Sequence, residues 1–200
     1  MGFISTLAIA MGSSWVSGIN LYACVATLGL LSRFAHLKLP GDLQLLTSWW
    51  VIGIAAALYL VEFVADKVPW VDSAWDVVHT FIRVPAGAIL AAGAFGGFDR
   101  SIQVVAFLLG GGLALTSHST KAAARAVVNA SPEPFSNFVV STAEDVLAIG
   151  SVALALFFPA LLFLVVAVGL VISALVLPRI FRFLRQVGAN IRRLFAPATY

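Results

Sequence analysis

The chain has 200 residues, 61% of them hydrophobic and only 10% charged, with a mean hydropathy of +1.02. An ordinary soluble domain carries roughly 25% charged residues, so a water-soluble globule is excluded. The formal net charge of +3 does not describe a nucleic-acid surface, because five arginines (Arg179, Arg182, Arg185, Arg192 and Arg193) gather behind the last apolar run, where they read as a membrane flank.

Unpaired backbone groups are expensive in lipid, so spanning elements are helices or a closed barrel, and long unbroken apolar runs argue against alternating barrel strands. The first run, residues 3–34, lacks the basic region of a cleaved signal peptide and is read as the first hydrophobic segment. As one helix it would be about 48 Å long, more than a bilayer needs. It is interrupted by GSSWVSG, whose glycines and serines weaken a helix. A broken helix with its second half starting near Ser17 is the expectation. The single cysteine, Cys24, lies in this run and leaves no disulfide framework.

The next span runs from Trp49 and Trp50 to Trp70, with indoles at both ends where amphipathic rings favour the headgroup level. Residues 71–96 form a third. Residues 101–129 form a fourth, interrupted by GGGLALTSHST, and a second broken helix restarting near Ser117 is expected there. NASPEPFSN, with Pro132 and Pro134, stops the chain again and restarts a helix at Ser136 or Asn137, leaving Glu133 at the interface. Residues 136–158 make the fifth segment. The sixth, 159–178, ends on the arginine-rich tail, which mixes Ile180, Phe183, Leu184 and Val187 with basic residues and reads as a helix lying on anionic lipid headgroups.

The two breaks lie 100 residues apart, and at that offset Gly12 matches Gly112, Ser17 matches Ser117, Ala23 matches Ala123 and Ala26 matches Ala126; at an offset of 90, Pro69 matches Pro159. Three spans per half is odd, so the halves would insert in opposite orientations. The expected fold is an all-α integral membrane protein of about six transmembrane segments, arranged as two inverted three-helix repeats with broken first helices. Its parts are residues 1–98, residues 99–178 and the basic amphipathic tail 179–200. With both termini cytoplasmic, Lys67, Lys121, Arg125 and the five tail arginines lie inside, while Arg33, Lys38 and Arg100 lie outside, which satisfies the positive-inside rule.

Ionisable groups are costly in hydrocarbon, so their placement carries the most information. Asp72, Asp76, His79 and Arg83 fall at steps of four, three and four, keeping them on one helix face; His118, Lys121, Arg125 and Asn129 repeat the device. Glu62 with Asp66, and Glu144 beside Asp145, add acids on two further helices. The bland reading is that the stripes neutralise each other or snorkel to the interface. The functional reading is a polar path or binding site. Ser17 and Asn20, with Ser117 and Thr120, stand where second half-helices would begin and would cap free amides or hold a ligand. There is no HExxH, GxSxG or P-loop, and His36, His79 and His118 have no metal-ligand spacing. No cofactor is expected.

At SGINLYA from Ser17, DKVPWVDSAWD from Asp66 and KAAARAVVNASPEPFSN from Lys121, the chain resembles a family of small bacterial inner-membrane proteins catalogued as domain of unknown function 4126. The resemblance covers nearly the whole chain up to the tail and implies a bacterial cytoplasmic-membrane protein, without an activity or a site. The residues themselves point to a transporter or channel for a small ion or polar solute, with its site near the bilayer midplane between the repeats. Lys121 and Arg125, with half-helix amides near Ser17 and Ser117, would neutralise an anionic group, and Asp72, Asp76, Glu62 or Glu144 would carry a coupling proton or cation. One rival is an accessory or scaffold subunit of a larger complex, or a homo-oligomer, whose stripes face partner helices. Another is a lipid-modifying enzyme using His79 or His118 as base.

Overall fold

A computed structural model of the chain describes residues 2–129 and 134–194. Among them are six α-helices and no strand: α1 (Phe3–Phe34), α2 (Trp49–Ala65), α3 (Pro69–Ala94), α4 (Arg100–Val128), α5 (Pro134–Phe157) and α6 (Pro159–Leu194). A short 3-10 segment, Gly41–Thr47, precedes α2 and is bent 72° from it. Five helices are long and apolar enough to cross a membrane, and six candidates result when that bent pair is counted as one span. The protein is therefore a multi-pass helical membrane protein in contact with the bilayer.

Prolines set the helix starts. Pro69 and Pro159 occupy first-turn positions, where a missing N–H removes no bond and the fixed φ already suits a helix. Pro134 likewise opens α5 two residues before the expected restart, while Glu133 lies outside the described residues. α2 ends at Ala65, so Trp70 belongs to α3 and does not close the second span. The tail continues α6 without a stop through Pro178 to Leu194.

The first helix turns back on itself. Asn20 has φ −149° and ψ 98°, extended geometry inside α1. Cys24 Sγ lies 3.6 Å from the Ser13 carbonyl oxygen, although eleven residues of straight helix would separate these positions by about 16 Å. The start of α1 and the segment that follows it reach the same end of α3: the Phe3 ring packs on Phe95 and Phe98, and Gly41, which opens the 3-10 segment, sits on the backbone of residues 93–96. Only glycine suits position 41, whose φ is +53° and whose would-be Cβ falls 2.2 Å from the Gly93 carbonyl. α1 is a re-entrant hairpin with arms 3–19 and 21–34 and its tip at Asn20. Its most apolar window is 72% buried, against 17% for α6, as required of a backbone break that is tolerated at membrane depth only inside protein.

The helix expected to mirror this one does not. The break expected near Ser117 is absent, and α4 is one continuous helix. Its glycines serve close packing: a Cβ on Gly110 would meet Ala91 Cβ at 2.4 Å and the Gly87 carbonyl at 2.9 Å. Its hydroxyls bond back along the helix, Thr116 to the Gly112 carbonyl and Thr120 to the Thr116 carbonyl, both at 2.8 Å. The inverted repeat is not confirmed, since α1 is broken and α4 is not, and α1 touches every other helix whereas α4 meets α2 and α5 only slightly.

Because α1 returns to the end where it began, its start shares an end of the bundle with the α3–α4 connection, while the described end of α6 lies toward the opposite one. Lys67 sits at that opposite end, and Arg33, Lys38 and Arg100 at the end where α1 starts. A reporter or thiol label fused before Gly2 is expected on the face opposite a C-terminal one. Oxidation of a Ser13→Cys variant is expected to join the introduced thiol to Cys24, with loss of two hydrogens by mass spectrometry; a straight helix forbids that bridge.

Candidate functional site

At the tip, the break frees carbonyls of the first arm and amides of the second, and neighbours satisfy both. Ser117 Oγ donates to the Trp15 carbonyl at 2.7 Å, and Lys121 Nζ donates to the Ile19 carbonyl at 3.1 Å. His118 Nδ1 lies 3.3 Å from the Gly18 carbonyl. Asn20 caps the second arm, its Oδ1 accepting the Ala23 N–H at 2.8 Å. Its Nδ2 donates to Asp145 Oδ1 at 3.1 Å. Ser17, also expected to cap, instead donates to the Arg83 carbonyl on α3 at 2.8 Å. Gly18 permits this approach: a Cβ there would fall 2.0 Å from Ser117 Oγ and 2.3 Å from the Ala114 carbonyl.

The α3 and α4 stripes meet below the tip, on its side toward the tail. Arg83 donates to Glu62 Oε1 at 2.5 Å and Asp76 Oδ1 at 2.9 Å. Lys121 Nζ lies 3.1 Å from Asp66 Oδ2, 3.6 Å from Glu144 Oε2, 3.9 Å from Glu62 Oε1 and 4.0 Å from Asp76 Oδ1. Arg125 reaches Asp72 Oδ1 and Glu144 Oε2, both at 3.3 Å, and Asp66 Oδ2 at 3.7 Å. Asn129 Nδ2 ties off Asp72 Oδ2 at 2.7 Å. Glu62, Asp72 and Arg83 are fully buried, and Arg125 is 1% exposed. The basic stripe therefore points inward and pairs with carboxylates; it does not snorkel.

Five carboxylates (Glu62, Asp66, Asp72, Asp76 and Glu144) thus share three cations in one buried network. Glu62 Oε2, Asp66 Oδ1 and Asp76 Oδ2 are buried without a protein hydrogen-bond partner. Beside the network, Lys67 Nζ donates to Ser141 Oγ at 2.8 Å and rests 3.5 Å from the centre of the Phe63 ring. Burial pulls this ammonium, in the α2–α3 turn, below the ordinary lysine range, against the pull of Asp145 and Asp66.

The histidines separate. His118 Nε2 lies 2.7 Å from Thr80 Oγ1, and its Nδ1 is 3.3 Å from Arg83 Nη1 as well as from the Gly18 carbonyl. Arginine only donates and a carbonyl only accepts, so Nδ1 serves one of them at a time. His79 lies outside the ion network: its Nδ1 donates to the Trp75 carbonyl at 2.9 Å, which leaves Nε2 to accept from Tyr22 OH at 3.1 Å. Among the described residues no group of three or more His, Cys, Asp or Glu side chains is arranged to hold a metal ion. A recess of about 270 Å³ between α3 and α4 reaches the network, lined by Ser73, Asp76, Thr80 and Arg125.

Fourteen of the sixteen polar residues singled out in the sequence thus form one contiguous assembly around the tip; His79 stands apart, and Thr120 turns to the Thr116 carbonyl and to Ser173 Oγ on α6, both at 2.8 Å. Sequence reasoning missed Asn137, which accepts from Arg125 through Oδ1 at 2.5 Å and donates to the Asp66 carbonyl at 3.1 Å. It also missed Thr80, one helical turn from Asp76 on the same face, a spacing that was readable. The model of the family described as Domain of unknown function (DUF4126) matches residues 7–179, and the chain belongs to that family. No curated protein and no solved structure matches it.

Because acids outnumber bases, losing a base is expected to harm the fold far more than neutralising an acid. Arg83→Ala strands two buried carboxylates and is expected to cost about 3–5 kcal/mol. Glu144→Gln, at a side chain 15% exposed, is expected to cost less than about 1 kcal/mol. Unfolding midpoints of the two variants in the same lipid check the order.

Proposed function

We propose that the chain carries a small cation, with the proton as the simplest case, through the network between the hairpin tip and helices α2 to α5. The carrying observation is the imbalance of five buried carboxylates against three buried cations. With every group ionised the network would hold two uncompensated negative charges at membrane depth, which is prohibitive, so the stable state binds protons or cations to offset them. Sites that must bind cations to stay neutral are suited to passing them on.

The same pairing moves the reading away from an anionic substrate. Lys121 and Arg125 are the groups expected to receive an anion, and each is already surrounded by the chain's own carboxylates. It also favours transport over a scaffold role, because the stripes satisfy each other and need no partner helix. The recess from Ser73 to Thr80 runs inward along α3 from the tail-bearing face, and it supports access from that side. The positive-inside rule makes this the cytoplasmic face of a bacterial inner membrane, with the tail arginines on anionic headgroups.

Reconstituted vesicles with an imposed membrane potential and an internal pH dye test this reading. Wild-type protein is expected to pass protons or alkali cations, and Asp76→Asn to reduce the flux at least about tenfold while remaining folded, the loss typical when a general acid–base group is removed. Equal flux in protein-free vesicles would defeat the proposal.

A further inference from the structure

Three side chains of α4 reach the tip carbonyls, and one of them, a histidine, is of a type that changes role within the physiological pH range. Ser117 Oγ holds the Trp15 carbonyl at 2.7 Å and Lys121 Nζ the Ile19 carbonyl at 3.1 Å. Between them His118, 2% exposed, presents Nδ1 to the Gly18 carbonyl and to Arg83 Nη1, both at 3.3 Å. Its Nε2 meets Thr80 Oγ1 at 2.7 Å, and the same hydroxyl lies 3.0 Å from the Asp76 carbonyl. Counting bonds separates the states of the ring. Neutral with its hydrogen on Nε2, it allows three: Nε2–H to Thr80, Thr80 to the Asp76 carbonyl, and Arg83 to Nδ1. Neutral with the hydrogen on Nδ1, it allows two, because Thr80 must turn its one hydrogen to Nε2. As imidazolium it allows three again, with Nδ1–H on the Gly18 carbonyl in place of the bond from Arg83. One added proton thus moves one bond, from α3 to the hairpin tip.

We propose that His118 is a proton-operated latch on the hairpin: neutral, it ties α4 to Arg83 on α3; protonated, it lets Arg83 go and closes on the Gly18 carbonyl. The proton comes from the aqueous phase and bonds to the Nδ1 electron pair that had accepted from Arg83; no other bond of the ring breaks. Neither neighbour of Nδ1 can take that proton onward, since a guanidinium accepts nothing and an amide carbonyl is far too weak a base. The ring therefore stores a proton and does not relay one. Release strands no charge, because Arg83 keeps Glu62 and Asp76 in every state. The charged groups around the ring are Arg83 and Asp76 of α3, Lys121 of its own helix and, behind Arg83, Glu62 of α2. Arg83 and Lys121 oppose an imidazolium and Asp76 favours it. A carbonyl at the end of the first arm carries partial negative charge and favours it too. The latch does not require that the chain transport anything.

Magnetic resonance of the ring nitrogens reads the state directly. The sequence has three histidines, His36, His79 and His118, so full-length protein carrying isotope-labelled histidine in lipid gives three rings. His36→Gln and His79→Gln each remove one and assign His118 without altering it. If His79→Gln does not fold, Tyr22→Phe identifies His79 instead, by moving the Nε2 signal that the Tyr22 hydroxyl holds at 3.1 Å. Between about pH 8 and pH 5, His118 is expected to lose the signal of a bare Nδ1 and become an imidazolium. The labelled Gly18 carbonyl is expected to shift toward a hydrogen-bonded value with the same midpoint. A ring that keeps one form throughout, a neutral ring with its hydrogen on Nδ1, or a titration that leaves Gly18 unmoved overturns the latch. Cation flux in vesicles with no such change would leave the transport reading standing and remove the latch, and the change without flux would do the reverse.

Discussion

The turn at Asn20 is the constraint from which the rest follows. A backbone that reverses inside the membrane leaves carbonyls and amides that no water can satisfy, and each unsatisfied group costs several kcal/mol. The tip solves this with Asn20 as cap on one side and with Ser117, His118 and Lys121 of α4 on the other. Bringing Lys121 to the Ile19 carbonyl places a charge at depth, and that charge in turn requires carboxylates. Glu62, Asp66, Asp76 and Glu144 supply them from three more helices, and their excess draws in Arg83 and Arg125. Helix packing, hydrogen bonding and charge are therefore one problem here, and α1 is the most buried candidate span because its break tolerates nothing less.

Much of this was legible because hydrocarbon leaves few reasons for an ionisable residue. The stripes at steps of three and four gave the correct faces of α3 and α4, and apolar runs ended by proline gave most helix boundaries to within two residues. The break in the first segment was also readable, from a length that no bilayer requires and from the serines and glycines within it. Its sense was not. A broken helix that continues across the membrane and one that turns back share the same composition, and tertiary contacts distinguish them: Cys24 with Ser13, and Phe3 and Gly41 at one end of α3.

The misreading of α4 has a related cause. Gly110, Gly111 and Gly112 look like a breaker in sequence, yet Gly110 lets α4 lie on α3 with backbone nearly in contact, and small residues at such crossings are a principal means of helix association in lipid. Propensity weakens a glycine-rich helix in water, where exposed backbone finds other partners. In lipid the helical bonds have no competitor. The same residue types therefore break α1, where α4 supplies substitutes for the lost bonds, and leave α4 intact, where nothing does.

The signs of the charges at the tip are set by the hairpin itself. The first arm ends with exposed carbonyls, a partial negative charge, and meets Lys121. The second arm begins with amides, a partial positive charge, and its capping residue Asn20 hands the field on to Asp145 at 3.1 Å. The macrodipole of each arm thus favours the ion placed against it, by about 0.3–1 kcal/mol at exposed helix ends and by more where the site is buried. Exchanging the two signs would oppose both dipoles and both sets of hydrogen bonds, since an ammonium cannot accept from an amide and a carboxylate cannot donate to a carbonyl. The backbone therefore dictates which face of the tip is basic and which is acidic. α4 and α5 carry the matching residues at Lys121 and Asp145 because the hairpin leaves no other order open.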